Sequence, residues 1–120
     1  MKHIGIVGSR KRREYERILQ ILTGLEKKYN EITVVSGGAL GIDDDAQLAC
    51  KELGIPILIL YPKLQEYSQK GNNIYFSRNW KIAEKCDFLY AFPLDRKGGT
   101  MNTVGHFKNF NKENNLIIID

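Results

Sequence analysis

Ile32-Thr33-Val34-Val35-Ser36-Gly37-Gly38-Ala39-Leu40-Gly41-Ile42-Asp43 decides the fold. Its first four residues are a nearly unbroken apolar run, the pattern of a strand covered on both faces. Glycines break the run, and Ile42, Ala46, Ala49 and Leu53 then recur at helical spacing. The same order of strand, glycine turn and helix appears twice more. Residues 4–7 lead into Gly8-Ser9-Arg10 and a stripe of Tyr15, Ile18, Leu19, Leu22, Leu25 and Tyr29, and residues 88–92 lead towards Gly98-Gly99-Thr100 and a helix over about 100–110. Further strands are expected at 57–60 and 116–119, and a third helix from 77–79 to about 85. This alternation predicts an α/β chain with a parallel sheet. Right-handed crossovers then give a doubly wound five-stranded sheet of order 3-2-1-4-5 with helices on both faces, and ligands are expected beyond the carboxyl ends of the strands at the switch point. The three glycine turns converge there.

The 120 residues are expected to form one domain, 1–120. Lys and Arg number 18 against 14 Asp and Glu, and the resulting net charge of +4 permits an anionic partner without demanding one. The chain opens on a short apolar run with neither the apolar length of a signal peptide nor a span of about 20 residues for a membrane, so a cytoplasmic location without a membrane partner is expected. Cys50 and Cys86 lack metal-ligand spacing and read as buried reduced thiols; no metal site is expected.

Glycine has no Cβ, so its backbone amides can close on an oxyanion, and a following helix N-terminus adds partial positive charge. Three such turns point to a phosphate-bearing ligand. The first is not the dinucleotide fingerprint, because the later glycines of GxGxxG are missing, and no nicotinamide or other cofactor is expected. Arg10, Lys11, Arg12 and Arg13 gather four cations at a helix N-terminus, where the macrodipole disfavours them. Either an anion relieves that arrangement or the side chains point to solvent, and Arg10 lies nearest the turn. Asp43 reads as an N-cap accepting the amide of Ala46, with Asp44 and Asp45 favoured in the first helical turn, each effect contributing about 0.5–1 kcal/mol. Gly37, Gly38 and Gly41 fit either close approach of a ligand or a tight crossing of helix on strand.

SGGALGIDDDAQLA (36–49) resembles the SGxAxGID-x-x-AH segment of DprA/Smf proteins, and SRNWKIAEKCDFLYAF (77–92) is similar to their RN-x-x-I segment with its following strand. KGGTMNT (97–103) resembles both their SGSxxTA turn and the PGGxGTxxE turn of the LOG proteins. With the opening IGIVGSR (4–10), the order of motifs resembles the SLOG superfamily of Rossmann-like domains, in particular its small stand-alone members. The resemblance implies a nucleotide site of Gly8, Ser9, Arg10, Gly37, Gly38, Arg78, Asn79, Gly98, Gly99 and Thr100. Thr100 would open the fourth helix, Arg78 offers a bidentate fork to phosphate, and Asn79 either caps its helix or touches base or ribose.

The chain departs from the LOG phosphoribohydrolases where their helix glutamate stands, because that position is Thr103 here and a threonine cannot act as the carboxylate. Asp95, beside Arg96 and Lys97, reads as an ion-paired loop acid, and His3 and His106 lack evident partners, so no catalytic residue is assigned. The loop over 61–77 suits a lid, a short helical turn or a dimer contact, and Tyr67, Tyr75 or Phe76 in it could stack on a base. Trp80 reads as core or interface. The expected function is binding of a nucleotide or nucleotide-derived small molecule, as a sensor or sequestering protein and as a homo-oligomer such as a dimer. The alternatives are an enzyme acting on a nucleoside monophosphate or ADP-ribose-like compound, and single-stranded DNA binding in the manner of DprA.

Overall fold

The computed structural model describes residues 1–63 and 74–120, so Tyr67 lies outside the described residues. Five strands, β1 (Lys2–Gly8), β2 (Ile32–Ser36), β3 (Ile57–Ile59), β4 (Phe88–Phe92) and β5 (Leu116–Ile118), form one sheet of order β3-β2-β1-β4-β5 with every pairing parallel. The α/β doubly wound arrangement is thus the one the sequence predicts. Four helices are present among the described residues: α1 (Tyr15–Tyr29), α2 (Ile42–Leu53), α3 (Ile74–Lys85) and α4 (Gly98–Asn109).

The apolar runs divide by parity, because successive strand residues face opposite sides of the sheet. Ile4, Ile6, Ile32 and Val34 pack with Ile18 and Leu22 of α1 and Ile42, Ala46 and Ala49 of α2. Val7, Val35, Leu89 and Ala91 pack on the other side with Ile82 and Ala83 of α3 and Val104 and Phe107 of α4. Both faces are covered, which is why the strands lack polar alternation.

Several helix starts differ from expectation, for reasons that involve residues far apart in the chain. α1 begins at Tyr15, so the four cations precede it in a loop. Arg12 donates to Pro93 O (2.7 Å) and Ile119 O (2.8 Å) and pairs with Glu14, while Arg13 pairs with Asp44 and Asp45. Two of the four are therefore bound to the protein itself. Asp45 accepts the Glu14 amide (2.7 Å) and so serves the start of α1 from α2. The N-cap of α2 is Gly41, at φ 74°, and not Asp43. α3 begins at Ile74, which makes Asn79 an interior helical residue that caps nothing and puts Tyr75 and Phe76 on a helix. α4 begins at Gly98, two residues before Thr100.

Candidate functional site

At the carboxyl end of β1, Ser9 donates its amide to Phe92 O (3.0 Å) across the switch point and its side-chain oxygen accepts the Lys11 amide (3.0 Å). The first and second turns meet backbone to backbone. A Cβ on Gly41 would lie 2.5 Å from Ser9 O, and one on Gly8 would lie 2.5 Å from Ile42 Cγ1. At Gly38, φ is 71° and a Cβ would meet Ile59 and Tyr61. Close packing within the protein, the second of the two readings, accounts for these glycines.

Arg78 reaches from α3 to the end of β2. The residue is 8 % exposed, and its guanidinium donates from Nη1 to Gly37 O (2.5 Å) and Leu60 O (3.4 Å), and from Nε to Asn79 Oδ1 (3.0 Å). Asn79 continues the chain, donating from Nδ2 to Gly99 O (3.3 Å) and Asn102 Oδ1 (3.2 Å). Guanidinium and amide thus tie the end of β2 to the start of α4, so the sites of two glycine turns are held relative to each other by side chains from a third element. Burial pushes the Arg78 guanidinium below its usual value, against the attraction of Asp43.

Asp43 opposes that cation. It is 5 % exposed, Oδ2 accepts the Ala39 amide (3.0 Å), and Oδ1 is buried with no partner among the described residues. Desolvation raises its carboxyl above the ordinary value, opposed by the Ala39 hydrogen bond and by Arg78.

These elements enclose a cleft of about 830 Å³. Of the ten residues that the resemblance implied, Gly8, Ser9, Arg10, Gly37, Arg78, Asn79, Gly98, Gly99 and Thr100 line it, and Gly38 does not. Lys11, Asp43, Lys97 and Asn102 line it as well, and Tyr75 and Phe76 contribute aromatic surface. The guanidinium carbons of Arg10 and Arg78 lie 5.7 and 5.6 Å from the centre of the Tyr75 ring. Lys97 and Asn102 carry no assigned role in the sequence, although Lys97 immediately precedes Gly98-Gly99-Thr100 and Asn102 follows it by two residues. Asp43, expected as a cap and also a carboxylate beside the second glycine turn, is in the cleft wall and does not cap α2.

Thr103 is buried in the cleft wall, its hydroxyl donating to Gly99 O one turn back (3.1 Å). Asp95 also lines the cleft, and Arg96 pairs with Asp120 instead of with it. His3 Nδ1 lies 3.9 Å from Asp87, so that histidine does have a neighbouring acid. Trp80 is 42 % exposed and packs on Phe110 with ring centres 5.4 Å apart, outside the core. Both cysteines are buried, and burial pushes each thiol up to about 12. Among the described residues no cluster of three His, Cys, Asp or Glu could hold a metal ion, and no helix is long and apolar enough to cross a membrane.

Three solved structures share this architecture. DNA processing protein A from Helicobacter pylori, studied for its single-stranded DNA binding mode, superposes with a TM-score of 0.76 at 21 % identity, over 99 % of this chain and 65 % of its own. DprA from Streptococcus pneumoniae gives 0.73 at 20 % identity, over 100 % of this chain and 50 % of its own, and the protein TM1055 gives 0.66 at 18 %, over 93 % and 71 %. The chain therefore spans between half and two thirds of the two DNA processing proteins. No curated protein matches the sequence. The family model for DNA recombination-mediator protein A matches residues 1–87, which carry the first two glycine turns, Asp43, Arg78 and Asn79. The chain belongs to the DNA recombination-mediator protein A family, within the SLOG superfamily.

Proposed function

We propose that the cleft binds a nucleotide, with its phosphate at the start of α4 and its base towards Tyr75 and Phe76. The observation that carries this reading is the meeting of the Gly8-Ser9 turn, the amino end of α4 and the cations Arg10, Lys11, Lys97 and Arg78 around one cleft. Backbone amides at a helix start and long cationic side chains suit a phosphate, and a stacking ring suits a base without selecting it. A sensing or sequestering role follows from binding without an assigned catalytic group. The Thr103 hydroxyl is engaged with Gly99 O, so no glycosidic cleavage is proposed through that position.

A second reading is favoured by a separate observation, the family match over residues 1–87: the nucleotide is one unit of single-stranded DNA. The single-stranded DNA binding mode of the similar Helicobacter pylori protein supports it. The two readings differ in salt dependence. A free mononucleotide engages one phosphate group, whereas each additional strand phosphate neutralised adds about 0.7 to the slope of log affinity against log salt. Titration with nucleoside monophosphates, ADP-ribose and an oligothymidylate at several salt concentrations tests both. Arg10→Ala should weaken every ligand that binds while leaving the melting temperature unchanged, because Arg10 is exposed. Failure of all these ligands to bind overturns both readings.

A further inference from the structure

We infer that Asp43 Oδ1 is a specificity-determining acceptor: the cleft selects its nucleotide through an N–H or O–H group on the nucleoside part as well as through phosphate. The inference rests on the nucleotide reading of the cleft and adds a requirement that phosphate recognition alone does not impose.

The carboxylate is divided in its duties. Oδ2 holds the Ala39 amide at 3.0 Å and so shapes the second glycine turn, which explains one oxygen and leaves the other. Asp43 lines the cleft, and its Oδ1 is buried with no donor among the described residues. An acceptor in that condition carries its desolvation cost without return, and a buried charged one carries more. The charge also faces the buried Arg78 guanidinium, but that attraction supplies no hydrogen bond to Oδ1. Among the described residues the groups that face it are Arg78 from α3, Arg10 from the first turn and Asp44 beside it; the two cations act on its charge, and neither donates a hydrogen bond to Oδ1.

Phosphate oxygens repel Oδ1 and cannot be its partner. They belong with the cations and the start of α4, across the cleft. An N–H of the base or an O–H of the sugar supplies the missing donor, and its hydrogen bond to a buried carboxylate gains strength from the low surrounding polarity. Because Oδ1 has no exposed surface, a neighbouring side chain must move to admit that group; Arg10, exposed, resting against the Tyr75 ring and acting on the charge of Asp43, is the neighbour with room to do so.

Asp43→Asn preserves the shape and the acceptor for the Ala39 amide, but replaces the acceptor at Oδ1 with a donor. The test uses calorimetric titration of wild-type protein and the variant with four probes: the nucleoside monophosphate that binds most tightly among AMP, GMP, CMP and UMP, its dideoxy counterpart, ribose phosphate, and inorganic pyrophosphate. A melting curve confirms that the variant is folded. The expected result is that wild-type protein prefers the parent nucleotide to the analogue lacking the donor by about 10- to 100-fold, a range that corresponds to one hydrogen bond to a charged group. In the variant that preference collapses, while pyrophosphate binds as well as before or better. Collapse of the preference against the dideoxy form assigns the donor to the sugar, and collapse against ribose phosphate assigns it to the base. If the variant keeps the wild-type preferences, the inference is wrong and the nucleotide reading stands. If pyrophosphate alone binds wild-type protein, or nothing does, the nucleotide reading falls and this inference falls with it.

Discussion

Gly37→Ala isolates the contribution of the Arg78 guanidinium, because it acts on that group without removing it. Gly37 has no positive φ, so alanine is tolerated by the backbone itself. Its Cβ, however, would lie 2.7 Å from Arg78 Cζ and 3.2 Å from Nε, and closer still to Nη1. The guanidinium must retreat by about 1 Å to restore ordinary contact distance. Its bonds to Gly37 O at 2.5 Å and Asn79 Oδ1 at 3.0 Å then stretch or break, and the longer one to Leu60 O at 3.4 Å is lost. Bonds from a charged donor contribute about 1.5–3 kcal/mol each, so loss of two of them costs about 3–6 kcal/mol. Alanine restricts the unfolded chain and returns about 0.4–1 kcal/mol. The net loss is about 2–5 kcal/mol, and at roughly 3–5 °C per kcal/mol for a chain of this size the melting temperature falls by about 6–25 °C. Nucleotide affinity should fall with it, since the same shift loosens Asn79 from the start of α4. Circular dichroism melting and calorimetric titration measure the two effects. A variant that melts within about 2 °C of wild type and binds equally well would falsify the claim that this guanidinium holds the cleft wall together.

Gly99→Val should separate binding from stability: Gly99 has no positive φ and its Cβ would make only an ordinary 3.7 Å contact with Asn79, so the melting point should move little, by about 1 kcal/mol equivalent, while a branched side chain at the helix start blocks phosphate and titration shows little or no heat. The Asp43 carboxyl is raised in the folded protein by desolvation, so the folded state binds more protons than the unfolded one between the ordinary value of 3.8 and the raised value. Relative to Asp43→Asn, wild-type protein should therefore gain stability as pH falls through that window and be the less stable of the two at neutral pH; melting curves of both proteins across a pH series check this, and a constant or opposite difference refutes it. Cys50 and Cys86 should resist iodoacetamide at neutral pH in the folded protein and react on unfolding, as mass spectrometry would record, because both are buried and their thiols are pushed up to about 12. Labelling of either one under native conditions at the rate of a free thiol would contradict that burial.

The sequence alone determined the sheet and its order. Covering both faces of a strand requires consecutive apolar residues, so Ile4, Ile6 and Val7, or Leu89 and Ala91, carry the sign of a parallel sheet without reference to any partner. Residues 88–92 coincide with β4, and the convergence of the three turns follows from strand order once crossovers share one hand. Only the tertiary structure decided what the charged side chains do, because an ion pair or a buried hydrogen bond joins residues whose separation along the chain carries no periodic signal. Arg12 and Arg10 are two residues apart, yet Arg12 is consumed by Pro93 and Ile119 while Arg10 faces the cleft. Arg78, expected to meet phosphate with a free fork, is engaged by Gly37 O and Leu60 O. Gly38 carries the same residue type as Gly37 but packs on Ile59 and Tyr61 beside the cleft, not in it. Asp43 sits where a cap is favoured locally, yet in the fold its Oδ2 accepts the Ala39 amide and its Oδ1 is buried with no donor among the described residues. Local sequence sets which face is apolar, whereas desolvation and hydrogen-bond satisfaction depend on every element that closes around a polar group, and those elements come together only in the folded chain.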